Sequence, residues 1–255
     1  MDKIQIIIDA GHGGSETGAV ANGYLEKDLN LKVAKLIESK LSNYFEHLHM
    51  TRTEDVTMPL RARGQFVSSK AEKFDGKTIC LSVHFNAYNG KARGTETIYS
   101  IFSNPALATS ILNSIIKLGL PKRRVFNKKS SRGNFDYYAM HRLTGKAQTI
   151  IVEPLFLDNT EDIKLLRQEG FLDKLANAYV EGLLSYLDID IEKEENEEKI
   201  QKRILNIDEA LDVLVKHKVI NSPDFWRRVS SVVKYFDVLI INMANKLNSR
   251  KWYYE

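Results

Sequence analysis

The sequence has a single cysteine, Cys80, among its 255 residues. One thiol excludes an intrachain disulfide framework, and a chain without one can fold in a reducing cytosol. Cys80 lies in the apolar run Thr78-Ile79-Cys80-Leu81-Ser82-Val83, which reads as a buried strand rather than the setting of a reactive thiol. No apolar stretch approaches the ~20 residues needed to span a bilayer. Met1-Asp2-Lys3 leads straight into Ile4 to Ile8, a run too short for a signal-peptide core and without a small-residue cleavage site. The expectation is a protein made and kept in the cytoplasm until another factor releases it. Charge of one sign is also scarce: 37 basic against 33 acidic residues leave a net +4. That balance is too weak to argue for nucleic acid, although it suits an anionic partner. No internal repeat or low-complexity tract is evident.

What is present alternates strands with helices. Ile4 to Asp9 is a β-branched run that stops at glycines, as a central parallel strand does. Leu25 to Leu41 repeats Leu29, Val33, Leu36, Ile37 and Leu41 at helical spacing. Strands are predicted at His47 to Thr51, Thr78 to Val83, Thr95 to Tyr99 and Gln148 to Glu153. Helices are predicted at Leu60 to Ala71, Pro105 to Leu118 with Asn104 as cap, Glu161 to Arg167 and Phe171 to Leu187. Leu120 to Thr144 is basic and poor in periodicity, so it reads mostly as loop, with Tyr137 to Leu143 as an edge strand. This order implies an α/β fold: an open, mainly parallel twisted sheet with helices on both faces.

Composition shifts after Leu187. Residues 188–203 form a charged linker, dense in Asp and Glu at its start. Residues 204–255 read as a small all-α C-terminal module. Ala210, Leu211, Leu214 and Val215 make one helix face. Trp226, Val229, Val233, Phe236, Ile240, Met243 and Leu247 make a longer one, after the start signal Asn221-Ser222-Pro223-Asp224.

Chemistry-bearing residues stand where such a sheet puts its ligand site, beyond the carboxyl ends of strands. His12 follows the first strand in Gly11-His12-Gly13-Gly14, His84 follows Leu81-Ser82-Val83, and Glu153 closes Ile150-Ile151-Val152. Glu26 opens the first long helix. Taken singly, each has an ordinary reading. The glycine loop is equally a tight turn or a phosphate cradle, His84 a core histidine, Glu26 a residue stabilised by the helix dipole, and Glu153 the partner of an arginine. Taken together, two imidazoles and two carboxylates suit a catalytic metal centre. Two histidines and a carboxylate bind zinc with water in the fourth position, and a second carboxylate then moves that water's proton. His47, His49, His141 and His217 read as surface or packing residues.

The ordered series of motifs carries a family resemblance. Ile6-Ile7-Ile8-Asp9-Ala10-Gly11-His12-Gly13-Gly14 is followed by Glu26-Lys27-Asp28-Leu29-Asn30-Leu31, Thr51-Arg52 and Leu60-Arg61-Ala62-Arg63. Leu81-Ser82-Val83-His84-Phe85-Asn86-Ala87, Gly94-Thr95-Glu96-Thr97-Ile98-Tyr99 and Ile151-Val152-Glu153-Pro154-Leu155-Phe156 complete it. Over residues 1–187 the chain resembles the type 3 N-acetylmuramoyl-L-alanine amidases of bacteria and phages. The resemblance implies a zinc enzyme that cuts the bond between N-acetylmuramic acid and L-alanine in peptidoglycan, with His12, Glu26 and His84 as metal ligands and Glu153 as catalytic carboxylate. The family's usual Glu-x-Gly-Phe reads Glu153-Pro154-Leu155-Phe156 here, so Leu155 adds bulk beside that carboxylate. The family's proline in the first loop is Ala10.

With no signal segment expected, the setting that follows is endolysin-type phage lysis, with holin-type release to the cell wall. A sporulation amidase that lyses the mother cell is the alternative setting. A zinc peptidase acting on stem peptides and a non-catalytic wall-binding protein are the alternative activities. The basic helical module is expected to bind anionic wall polymers or to form a homodimer.

Overall fold

The computed structural model of the chain describes residues 3–189, 207–232, 240–241 and 243–244. It divides into two compact units, Met1–Ile189 and Asp190–Glu255. Nearly all of the expected linker lies outside the described residues, as do Val233, Phe236 and Leu247 of the expected apolar stripe.

The first unit is built on a six-stranded sheet. In chain order its elements are β1 (Ile4–Ala10), the small hairpin β2 (Val20–Ala21) and β3 (Tyr24–Leu25), α1 (Glu26–Leu41), β4 (His47–Met50), α2 (Leu60–Lys73), β5 (Lys77–Val83), β6 (Thr95–Tyr99), α3 (Ala106–Ile116), β7 (Lys122–Phe126), α4 (Ala139–Leu143), β8 (Gln148–Glu153), α5 (Thr160–Leu166) and α6 (Phe171–Tyr186). The strand order is β4-β1-β5-β8-β6-β7. All neighbours are parallel except β6 and β8. The mainly parallel α/β sheet expected from the sequence is therefore present. The buried central strands read as near-continuous apolar runs because both faces are covered. Helices α1, α3 and α6 pack together on one side, and α2 and α4 on the other. Helix α1 buries Leu29, Val33, Ile37 and Leu41, each contributing roughly 1.5–3 kcal/mol of apolar burial. On the α2/α4 side, Ile7, Val67, Cys80, Ile98, Met140 and Ile151 form a continuous core cluster. Cys80 is fully buried there.

Two local expectations are corrected. The segment read as loop contains β7 at Lys122–Phe126, and the expected edge strand at Tyr137 to Leu143 is instead the short helix α4 from Ala139. The strand β7 is an edge strand rich in charge, as edge strands often are, so it has no apolar alternation to announce it. The cap position of α3 is Pro105 rather than the expected Asn104, although the Ala106 N–H donates to Asn104 Oδ1 (3.0 Å) just before the helix.

The second unit contains α7 (Ile207–Lys216) and α8 (Pro223–Val232). Ala210, Leu211 and Leu214 are buried together with Ile240 and Ala244, flanked by Trp226. Val215 and Met243, expected on the packed faces, are exposed. Val215 sits at the edge of the stripe set by Ala210, Leu211 and Leu214. Among the described residues, no helix is long and apolar enough to cross a membrane.

The α2 side of β1 carries a buried ion pair. Arg63 of α2 donates to Asp9 Oδ1 (2.6 Å), and Asp9 also accepts from Thr51 (2.8 Å) and Ser82 (2.7 Å). Burial works against the Asp9 charge, but Arg63 and the Ser82 hydroxyl outweigh it and hold the carboxyl below its ordinary range. We expect Arg63→Ala to destabilise the protein by about 3–5 kcal/mol, the cost of leaving a buried charge unpaired, measured by denaturant unfolding at neutral pH. Because folding lowers the Asp9 pKa, its contribution is complete above the unfolded-state value. It is lost as pH falls through the folded one, so the gap between the two proteins should narrow in acid.

Candidate metal centre

Three adjacent parallel strands, β1, β5 and β8, end side by side, with Ala10 opposite Val83 and Val83 opposite Val152. The next residues on each strand build the site. The Gly11 N–H donates to Val83 O (3.0 Å) and the His84 N–H to Val152 O (3.0 Å), so the ladder continues just far enough to fix both loops.

The loop after β1 is strained and strongly held. His12 has φ 57°, a left-handed conformation that costs a non-glycine residue roughly 1 kcal/mol or more. Two buried arginines hold it there. Arg52 donates to Ala10 O (2.9 Å) and Gly11 O (2.9 Å), and Arg63 donates to Ala10 O (2.6 Å) and His12 O (2.8 Å). Farther out, Lys27 donates to Gly14 O (2.9 Å) and pairs with Asp55, which in turn accepts from the Gly14 N–H (2.7 Å).

Glu26 comes from the first turn of α1. The exposed amides of that turn are met by the β1–α1 loop, with the Glu26 N–H donating to Ala19 O (2.9 Å) and the Lys27 N–H to Thr17 O (3.0 Å). The Glu26 carboxylate accepts from the Ala19 N–H (2.8 Å), the Phe85 N–H (3.2 Å) and Asn30 one turn on (3.3 Å). Its two oxygens then face the two imidazoles, Oε2 at 3.2 Å from His12 Nε2 and Oε1 at 2.9 Å from His84 Nδ1. The imidazole rings stand 5.0 Å apart and nearly perpendicular. Burial opposes the Glu26 charge, but the bonds and charges of His12 and His84 overcome it and hold its pKa well below the ordinary value.

One donor atom from each of His12, Glu26 and His84 lies within 4.8 Å of the other two. Among the described residues no other such group of three comes together. Two imidazoles and an ionised carboxylate, partly exposed and converging on one point, are a donor set that suits a divalent zinc-like ion with an open position for water. The backbone leaves room for it. A Cβ at Gly11 would overlap the His84 ring, and one at Gly18 would overlap both Glu26 and His12.

Glu153 ends β8 beside this cluster. It lies opposite Glu96 of β6. Asn86 bridges the two carboxylates, donating to Glu96 Oε2 (3.1 Å) and, through a short bond, to Glu153 Oε2. Burial, then the neighbouring charges of Glu96 and Glu26, push the Glu153 pKa up to about 8. The sequence reading did not single out Asn86, Glu96, Arg52 or Arg63 for a role in the site. All four stand in the motifs that carry the family resemblance, but as polar groups whose partners are distant in the chain they have no local pattern that assigns them a role. Leu155 is fully buried, so its bulk enters the core and Phe156 lines the cavity next to Glu153's partners. His141 lies away from this site, 3.9 Å from Asp136, and His47 meets Phe74 edge-to-face.

The family model for N-acetylmuramoyl-L-alanine amidase matches residues 6–185. The chain belongs to this amidase family. It is 31% identical over 192 residues to an endolysin of Bacillus phage SPP1, covering 74% of this chain and 68% of that protein. It is 32% identical over 184 residues to the N-acetylmuramoyl-L-alanine amidase CwlM of Bacillus licheniformis, covering 71% and 67%. Among solved structures it resembles an N-acetylmuramoyl-L-alanine amidase from Clostridium difficile 630 with a TM-score of 0.62 and 27% identity, covering 74% of this chain and 98% of that one. The family match runs from within β1 to within α6, so it includes residues of all six strands of the sheet and excludes α7 and α8.

We expect Gly11→Ala to fold but to bind divalent metal at least about tenfold more weakly, because the added methyl displaces the His84 ring. Zinc titration of the purified variant, with circular dichroism as the folding control, reads this directly. Binding at the unaltered affinity would show that His84 does not need that space.

Proposed function

We propose that this chain is a zinc-dependent amidase that hydrolyses the bond between the lactyl group of N-acetylmuramic acid and L-alanine in peptidoglycan. The observation that carries the reading is the convergence of His12, Glu26 and His84 beside a half-buried carboxyl, Glu153, whose proton affinity is tuned towards neutrality. Held by these three side chains, zinc would supply a Lewis acid and lower the pKa of water to about 7.

The residues divide the remaining work. Glu26 stays ionised between the imidazoles and keeps both rings aimed at one point. Arg52 and Arg63 hold the loop that carries His12. Glu153 accepts the proton of the attacking water and delivers it to the departing nitrogen of L-alanine, so that hydroxyl ends on the lactyl carbonyl carbon and hydrogen on the amine. Asn86 fixes the Glu153 carboxyl through its side-chain amide. A carboxyl held near neutrality can act as base and then as acid at physiological pH. A divalent cation held beside it would lower that pKa, because a nearby positive charge favours the ionised form.

The setting proposed is endolysin-type lysis, supported by the similarity to the phage endolysin. The peptidase alternative predicts a different product. Amidase action on purified peptidoglycan releases new L-alanine amino groups without new reducing sugar ends, whereas a peptidase frees amino acids from within the stem.

We expect Glu153→Ala to keep stoichiometric zinc and to lose about 10²–10⁴-fold in kcat; full activity in that variant would remove Glu153 from the mechanism. The pH profile gives a second check. The rate should rise as Glu153 loses its proton, and Glu96→Gln removes a negative neighbour that raises that pKa. The rising limb of kcat/KM should therefore move to lower pH in Glu96→Gln. A shift to higher pH, or none, would contradict the assignment.

A further inference from the structure

We propose that Arg123 and Arg124 form a carboxylate-binding subsite that holds the stem peptide of the substrate; this rests on the amidase reading and adds to it a determinant of substrate choice. The geometry begins with an irregularity. Along β6 and β7, Thr95 pairs with Lys122 but the next residue, Glu96, pairs with Arg124, so Arg123 is an extra residue in the strand. In a regular strand, consecutive side chains point to opposite faces. The bulge removes that alternation and turns both arginines to one carboxylate. Arg123 and Arg124 each donate from Nε to the same oxygen of Glu96, at 2.5 and 2.7 Å.

Charge is left over. Glu96 is buried, its side chain 2% exposed, whereas those of Arg123 and Arg124 are 38% and 52% exposed. Among the described residues no second carboxylate forms an ion pair with either arginine, so one buried anion, which also accepts from Arg124 Nη2 (3.2 Å), anchors two partly exposed cations. Both guanidinium groups are also held by ring faces, Arg123 5.2 Å from the Phe156 centroid and Arg124 3.9 Å from that of Phe126. Stacked and pinned in this way, they lose little freedom when a ligand arrives.

These groups wall a cavity of about 350 Å³ lined by Asn86, Tyr88, Glu96, Arg123, Arg124 and Phe156. Asn86 is the residue that bonds Glu153, so the cavity abuts the proposed proton-transfer group. A bulge that re-aims side chains beside an active site is a recurrent device. The substrate's chemistry then selects the occupant. The sugar side of the scissile bond is uncharged, because the lactyl carboxyl is itself tied up in the amide. Free carboxylates belong to the peptide, and paired guanidinium forks match a carboxylate in both charge and shape.

The test compares two soluble muropeptides, one with its stem carboxylates free and the other with them amidated, using the zinc-loaded full chain. The unaltered protein should prefer the free form in kcat/KM by about tenfold, the worth of one charge-assisted pair. Arg123→Gln and Arg124→Gln each leave Glu96 one partner, which keeps the buried carboxylate paired. In both, the preference should fall towards unity, mainly through KM on the free form. Equal cleavage of the two compounds by the unaltered protein, or a preference untouched in both variants, would overturn the subsite while leaving the amidase reading in place. Failure to cleave either compound would overturn both.

Discussion

The contact on which the rest of the site depends is that of Arg63 and Arg52 with the carbonyls at the end of β1. Asp9 binds Arg63 from inside the sheet, and the two guanidinium groups donate to the carbonyls of Ala10, Gly11 and His12. A loop whose carbonyls are fixed in this way can keep His12 in a left-handed conformation that it would not hold alone. The energy of a buried ion pair is thus expressed as position. Removing Arg63 takes away two of the bonds that hold the loop carrying His12, a proposed metal ligand.

The same sheet end sorts its carboxylates by environment. Glu26 lies between two imidazoles and three N–H donors and stays ionised. Glu153 lies against Glu96 with an amide as its hydrogen-bond partner, and it holds its proton to about pH 8. Two chemically similar side chains are driven apart in proton affinity, as the proposed roles of metal ligand and proton carrier require. Glu96 links this pair to the outside of the molecule, because the arginines that neutralise it also line the neighbouring cavity. The proposed carboxylate subsite and the proton affinity of Glu153 are therefore both tied to one buried residue, Glu96.

Much of this was legible in the chain. The β-branched run Ile4 to Ile8, stopped by Gly11 to Gly14, announced a central strand and the place of His12. The same logic placed His84 and Glu153 after their strands, and apolar spacing placed Glu26 at the start of α1. What escaped was long-range or charged. The link from Arg63 to Asp9 spans 54 positions and has no local signature. The strand β7 reads Lys-Arg-Arg-Val-Phe, so its pairing to β6 is carried by the backbone and by Glu96 rather than by an apolar face. The helix α4 holds only Met140 in the core, and five residues are too few for a periodic signal.

The central claim is that His12, Glu26 and His84 hold one zinc ion. X-ray absorption at the zinc edge of the loaded protein tests it most directly. The account predicts a first shell of light N and O donors at about 2.0–2.1 Å with outer scattering from two imidazoles, reduced to one imidazole in His84→Ala. Sulfur scattering from Cys80, or a spectrum unchanged by His84→Ala, would contradict it.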